Sequence, residues 1–207
     1  MAIFTRLMMA LTGVKHGKNL KLKGNAFIFN RRGASLALGN NVRINSSFLS
    51  NMVGLYQRSV IMTRRPGAKI EIGDNVGVSG VTVYARVGIS IGENTLIGGN
   101  TKILDNDFHP LDEGARNRGE EESIACKPVV IGKNCFIGCN ALILKGTRLG
   151  DGCVVGAGAV VSGEFPAGCV IAGNPARVIR RKASAAADDN ADGADKTENE
   201  NAEGADR

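Results

Sequence analysis

The chain has 207 residues, with 26 Lys and Arg against 20 Asp and Glu, and its net charge is +6. This length suffices for one well-buried domain with appendages, so a second domain is not required. Because no run of 18 apolar residues occurs, the sequence predicts no membrane-spanning helix. The N-terminal apolar run has no clear small-residue cleavage site after it, which argues against a signal peptide. We therefore expect a cytoplasmic protein.

The N-terminal segment, residues 1–18, is predicted to be one amphipathic helix. Apolar residues recur there with helical spacing, at Ile3, Phe4, Leu7, Met8 and Leu11. We expect this face to pack on the open end of the domain that follows, where it would cap edge strands. The alternative is a weak association with a membrane surface.

Residues 19–182 contain two blocks of a six-residue repeat. In the second block an aliphatic residue recurs every six positions, at Ile131, Ile137, Ile143, Leu149, Val155 and Val161. A small residue recurs with the same period, at Cys135, Ala141, Thr147, Cys153 and Ala159. A period of six fits neither a helix nor a simply alternating strand. It predicts an all-β solenoid whose triangular coils take about 18 residues each, with the aliphatic and small residues inside.

A segment between the two blocks, residues 104–127, leaves the repeat register. An inserted loop of this length on a tight scaffold is usually functional. It carries His109, one of two histidines in the chain, together with Asp105 and Asp107. These three residues occupy alternating positions, so they would share one face of an extended segment. A purely turn-forming role for the two aspartates is equally open.

Charge divides the chain into two parts. Residues 183–207 have eight Ala, eight acidic and two basic residues, and we expect this acidic tail to be disordered. The remaining residues 1–182 are strongly basic. Either they form a solvated positive surface or they bind an anionic ligand or lipid. Nucleic acid is not expected as a partner, because aromatic residues are few and no nucleic-acid-binding signature occurs. The five cysteines lack CxxC spacing, which indicates buried thiols in a reducing compartment.

Four motifs in a fixed order add a family resemblance. They are Asp105-Asn106-Asp107-Phe108-His109-Pro110, Lys127-Pro128-Val129-Val130-Ile131-Gly132, Val155-Gly156-Ala157-Gly158-Ala159 and Ala172-Gly173-Asn174-Pro175-Ala176-Arg177. Together they resemble the hexapeptide-repeat acetyltransferases, in the branch that acetylates sugar hydroxyls. The resemblance implies a left-handed parallel β-helix, a short C-terminal helix and a homotrimer. It also implies acetyl-CoA as co-substrate, with no metal.

The resemblance also implies roles for individual residues. His109 would be the general base, with Asp105 or Asp107 orienting its ring. The coenzyme A positions would be Phe136, Cys139, Ala157 and Ser162, with Arg177 and Arg180 for its phosphates. By position, the candidates for contact with the sugar are Tyr84, Arg86 and Asn106. Two departures weaken the donor site: Phe136 stands where relatives often have Trp, and Gly163 stands where a Lys is common.

The function predicted from the sequence is therefore transfer of an acetyl group from acetyl-CoA to a sugar hydroxyl, in cell-surface polysaccharide biosynthesis. An enzyme that acetylates a xenobiotic or another small molecule is one alternative. The other is a non-catalytic trimeric scaffold, since a fold does not fix a function.

Overall fold

A computed structural model describes residues 2–181 of the chain. One helix, α1 (Ile3–Leu11), precedes the strands, and a second, α2 (Glu113–Asn117), lies in the loop of residues 104–127. In chain order the strands are β1 (Lys15–His16), β2 (Lys21–Gly24), β3 (Phe27–Phe29), β4 (Ser35–Leu38), β5 (Arg43–Ser46), β6 (Val60–Thr63), β7 (Lys69–Ile72), β8 (Gly77–Ser79), β9 (Thr82–Ala85), β10 (Gly88–Ile91), β11 (Leu96–Ile97), β12 (Lys102–Leu104), β13 (Val129–Ile131), β14 (Phe136–Ile137), β15 (Leu142–Ile143), β16 (Arg148–Leu149), β17 (Val154–Val155), β18 (Val160–Val161), β19 (Glu164–Phe165), β20 (Cys169–Gly173) and β21 (Ala176–Arg181).

The strands form three sheets, and from β1 to β20 consecutive strands belong to different sheets. Sheet A has the order β1-β4-β7-β10-β13-β16-β19, sheet B the order β2-β5-β8-β11-β14-β17-β20-β21, and sheet C the order β18-β15-β12-β9-β6-β3. All pairings are parallel except that of β20 with β21. Each coil of the chain thus gives one strand to each sheet, which confirms the triangular coil expected from the period of six.

The core consists of ladders of aliphatic side chains that run along the solenoid. In sheet A, Leu36, Ile70, Ile89 and Val129 stand in register on neighbouring strands, and all four are buried. The small residues of the repeat, Cys135, Ala141, Thr147, Cys153 and Ala159, are buried as well. Both inward positions predicted from the sequence are confirmed, because only small residues fit beside the aliphatic ladders at close-packed density.

Asparagines line one corner of the first coils. Asn19, Asn41, Asn75 and Asn94 all have φ between 57° and 59°. Asn tolerates this left-handed conformation better than other residues with a side chain. Their side-chain amides also donate to one another along the axis, from Asn19 to Asn41, from Asn41 to Asn75 and from Asn75 to Asn94. The corner is therefore fixed both by backbone preference and by a ladder of hydrogen bonds.

The N-terminal helix forms over Ile3–Leu11, whereas Lys15–His16 of the predicted segment form β1, and the helix packs through a different face than expected. Thr5 and Met9 are buried against the first coil, and the Thr5 hydroxyl donates to the carbonyl oxygen of Ala26 at 2.8 Å. The apolar side chains that were expected to cap the solenoid point outward instead: Ile3 is 79% and Leu11 78% exposed. The expected packing of the apolar face is therefore wrong, because the open end of the coil is covered by the opposite side of α1.

The C-terminal end of the described chain also differs from the expectation. Ala176–Arg181 forms β21, which pairs antiparallel with β20, and the described residues contain no C-terminal helix. The predicted acidic tail, residues 183–207, lies outside the described residues. Within residues 2–181 no helix is long and apolar enough to span a bilayer.

Candidate active site

The loop of residues 104–127 leaves the solenoid after β12 and returns at β13, so it projects from the corner between sheets C and A. Its two ends are held together by the antiparallel bridge of Asn106 with Cys126. The Lys127 amide also donates to the Asp105 carbonyl oxygen at 2.9 Å. Inside the loop, the Asp112 carboxylate caps α2 by accepting from the Ala115 amide. The loop is thus closed at its base and ordered within, as a rigid platform for side chains requires.

Asp105 ties this loop to the preceding coil. Its carboxylate is fully buried and accepts from the backbone amides of Arg86, Val87 and Gly88 at 2.7 to 3.0 Å. The side-chain amide of Asn106 donates to it as well, at 3.0 Å. With both oxygens occupied in this way, Asp105 anchors the loop and does not orient the His109 ring. That part of the sequence-based hypothesis is corrected.

Two of the three candidate sugar-binding residues are also buried under the loop. Arg86 is 5% exposed, and its guanidinium donates to the Glu121 carbonyl oxygen at 3.0 Å. Asn106 is likewise buried, and its side-chain oxygen accepts from the Phe108 amide at 2.9 Å. These contacts give Arg86 and Asn106 a supporting role instead of a place on the open surface. Tyr84 is half-buried against the Phe108 ring, with ring centroids 4.8 Å apart, and burial raises the pKa of its hydroxyl.

His109 lies exposed at a tight turn. Its backbone amide donates to the Asp107 carbonyl oxygen at 2.7 Å across Phe108, whose φ is +62°. This three-residue turn with a positive φ is a rare and strained γ-turn, and for a bulky residue such strain is concentrated at functional sites. No other described residue forms a hydrogen bond with the imidazole. The ring is therefore open to an external partner.

The sequence pattern did not single out Lys145, which pairs with Asp107 two residues before His109. Its ammonium lies 2.6 Å from Asp107 Oδ1, and both side chains are partly exposed. The second oxygen of Asp107 is buried and has no hydrogen-bond partner among the described residues. The repeat register could have identified Lys145. Ile103 pairs with Ile143, so Lys145 occupies the position of Asp105 one coil further along.

The expected coenzyme A residues are spread over several parts of the solenoid surface. Phe136 is half-exposed on sheet B, where Arg177 and Arg180 also lie exposed on β21. Cys139 and Ala157 lie at the corner between sheets B and C in successive coils, and the Gly158 amide donates to the Cys139 carbonyl oxygen. Ser162 is exposed after β18 at the corner between sheets C and A.

Of these positions, Ser162 shares the corner of His109 two coils further along, whereas Phe136, Arg177 and Arg180 belong to sheet B. In a triangular coil the face formed by sheet B lies opposite the corner between sheets C and A, where His109 projects. The described residues include no group of three or more His, Cys, Asp or Glu placed to hold a metal ion.

Comparisons with known proteins place this fold. The family model "Hexapeptide repeat of succinyl-transferase" matches residues 88–103 and 128–162. Galactoside O-acetyltransferase of Escherichia coli K12 is 37% identical over 115 residues, which are 55% of this chain and 55% of that protein. The 2,3,4,5-tetrahydropyridine-2,6-dicarboxylate N-acetyltransferase of Staphylococcus aureus JH9 is 47% identical over 68 residues, which are 33% of this chain and 28% of that protein.

A solved structure with the same fold covers more of the chain. AntD, an N-acyltransferase of Bacillus cereus, was crystallised as a variant with dTDP-4-amino-4,6-dideoxyglucose and coenzyme A. It superposes with a TM-score of 0.64 at 22% identity and covers 86% of this chain and 88% of that one. The matches to the curated relatives are shorter and span between 28% and 55% of those proteins. The chain thus has the left-handed parallel β-helix fold and carries the hexapeptide repeat over residues 88–103 and 128–162, and it is similar to galactoside O-acetyltransferase over about half the length of both chains.

Proposed function

We propose that this protein is an acetyl-CoA-dependent O-acetyltransferase whose acceptor is a sugar hydroxyl, such as one on a cell-surface polysaccharide unit. The observation that carries the proposal is the exposed imidazole of His109 at a strained turn on an anchored loop. The galactoside O-acetyltransferase of E. coli supports the choice of acceptor. The free cysteines of the described chain fit a reducing compartment, and we place the enzyme in the cytoplasm.

The chemistry follows from what O-acetylation requires. A sugar hydroxyl is a weak nucleophile at neutral pH, and a base must remove its proton as the oxygen attacks the thioester carbonyl. An imidazole with an ordinary pKa of about 6.5 suits this task. His109 accepts the hydroxyl proton, the new ester C–O bond forms, and the C–S bond of the thioester breaks. The same proton then passes from His109 to the departing thiolate of coenzyme A.

A second copy of the chain would complete the site. Phe136 and Arg177 lie on the face opposite His109, so a donor bound along sheet B of one chain would reach the His109 loop of a neighbour. Three chains packed side by side would build three such sites, which is the homotrimer we propose. Arg177 and Arg180 are exposed and therefore available to coenzyme A phosphates through forked hydrogen bonds.

The decisive experiment compares His109→Ala with His16→Ala, which changes the other histidine of the chain. His16 is exposed on β1, and its ring contacts only the Gly17 carbonyl oxygen among the described residues. Thiol release from acetyl-CoA is followed against a panel of sugars and amino sugars. We expect His109→Ala to lose about 10²- to 10⁴-fold in turnover, and His16→Ala to behave like the unaltered protein.

Other outcomes would reject the proposal. Acceptor-dependent thiol release that survives in His109→Ala would remove the general base from the mechanism. No thiol release across the panel, together with no binding of coenzyme A by calorimetry, would support the scaffold alternative. Light scattering of the purified protein tests the trimer separately.

Transfer to nitrogen is a second candidate, favoured by the 47% identity to the S. aureus N-acetyltransferase. An amine acceptor also loses a proton during attack, so His109 would serve either reaction. Mass spectrometry of the products from an amino sugar with both groups, before and after mild alkaline treatment that hydrolyses an ester but leaves an amide intact, decides between the two. An amide as the sole product would replace the proposed O-acetyl transfer with N-acetyl transfer.

A further inference from the structure

The N-terminal helix presents its apolar side chains to solvent. Thr5 and Met9 mark the side of α1 that touches the first coil. Ile3, Leu7 and Leu11 project from the opposite side, because residues separated by two or six positions from that pair are rotated away from it around the helix. A helix that served only to cap the solenoid would bury these leucines and expose the threonine. In α1 the threonine is buried and the apolar side chains face solvent, so the exposed face needs an apolar partner.

The same end of the protein is exclusively basic. Residues 1–70 contain twelve Lys or Arg and no acidic residue, since Glu71 is the first carboxylate of the chain. Besides Arg6 on α1, eight of these basic residues are exposed and form no ion pair with another described residue. They are Lys15, Lys18, Lys21, Lys23, Arg31, Arg32, Arg43 and Arg58.

The fold brings these two features to one place. β1, β2 and β3 are the outermost strands of sheets A, B and C, so they form the terminal coil of the solenoid. α1 lies against this coil through the hydrogen bond of Thr5 with Ala26. Lys15, Lys21 and Lys23 belong to the same coil. The exposed apolar stripe of α1 thus lies at the same end of the molecule as these lysines.

We propose that this end docks on an anionic lipid surface, with the exposed face of α1 in the headgroup region and the lysines of the first coil on lipid phosphates. Apolar insertion and attraction to acidic lipids are the two terms that hold an interfacial helix on a membrane. A second copy of this chain fits less well, because an end-to-end contact would bring two uncompensated basic surfaces together. The docking is independent of the proposed acetyl transfer, since it uses neither His109 nor the coenzyme A positions.

The test is co-sedimentation of the full-length protein with phosphatidylcholine vesicles that contain or lack phosphatidylglycerol. Two variants are matched in exposure and chemistry: Leu7→Glu on α1, where Leu7 is 57% exposed, and Leu96→Glu on β11, where Leu96 is 54% exposed. We expect the unaltered protein and Leu96→Glu to sediment with the anionic vesicles and to be released by high salt. Leu7→Glu should partition at least about tenfold less, because it places a charge on the apolar face that enters the headgroup region of the membrane.

Three outcomes would overturn the docking. The first is that the unaltered protein stays in the supernatant with both kinds of vesicle, and the second is that Leu7→Glu binds the vesicles as well as Leu96→Glu does. The third outcome is a change of oligomeric state in Leu7→Glu by light scattering, which would show that another copy of the chain covers the face. Circular dichroism of both variants checks that each is folded, and an unfolded Leu7→Glu would be replaced by Leu7→Gln with the same expected loss.

Discussion

Replacement of Asp105 by Ala should destabilise the protein more than any other change in the loop. The buried carboxylate accepts from the backbone amides of Arg86, Val87 and Gly88. Each donor left without an acceptor in a buried position costs about 1–3 kcal/mol. Because two of the three bonds are only partly buried and water can enter the opened site, we expect a loss of about 3–5 kcal/mol. That is a large share of the roughly 5–15 kcal/mol that stabilises a domain.

The measurement is the free energy of unfolding from urea denaturation, taken at one protein concentration so that assembly does not enter the comparison. Asp107→Ala is the matched control, because it removes a carboxylate two residues away that pairs only with Lys145. A partly exposed ion pair contributes about 1 kcal/mol or less. Asp105→Asn should lie between the two, since its amide keeps one accepting oxygen. Equal unfolding free energies for Asp105→Ala and Asp107→Ala would refute the anchoring role.

Two further predictions concern Lys145 and the thiols. Lys145→Met should lower turnover about tenfold, while the free energy of unfolding changes by about 1 kcal/mol or less. Lys145→Arg should restore turnover. Steady-state kinetics and denaturation measure the two effects, and an unchanged kcat would exclude Lys145 from the site. Burial raises the pKa of the Cys135 thiol to about 11, so at pH 8 about one thiol in a thousand is the reactive thiolate. A disulfide reagent should therefore modify the partly exposed Cys139 first, as peptide mapping would show. Cys135 should react faster as the pH rises toward its pKa. Equal labelling rates of Cys135 and Cys139 at pH 8 would contradict the burial of Cys135.

The repeat determined much of this protein by itself. A solenoid coil contacts only its neighbours, so its inward positions are set by residues six apart in the chain. The inward positions of Ile131, Ile137 and Ile143, one on each sheet, could therefore be predicted without any knowledge of long-range contacts. The break in the period predicted the loop of residues 104–127, and His109 is the histidine of that loop. Both inferences rest on local spacing, which a sequence records directly.

The partners of the loop and the orientation of the helix were decided only by the tertiary structure. The carboxylate of Asp105 binds backbone amides of the preceding coil. Every residue other than proline has the same backbone amide, so the sequence does not show which amides bind. Lys145 reaches Asp107 across 38 positions, because the loop is inserted between two coils that stack directly. The apolar spacing of α1 predicted a helix but could not say which side meets the coil. The hydrogen bond of Thr5 with Ala26 fixed that side, and it left Leu7 and Leu11 facing solvent.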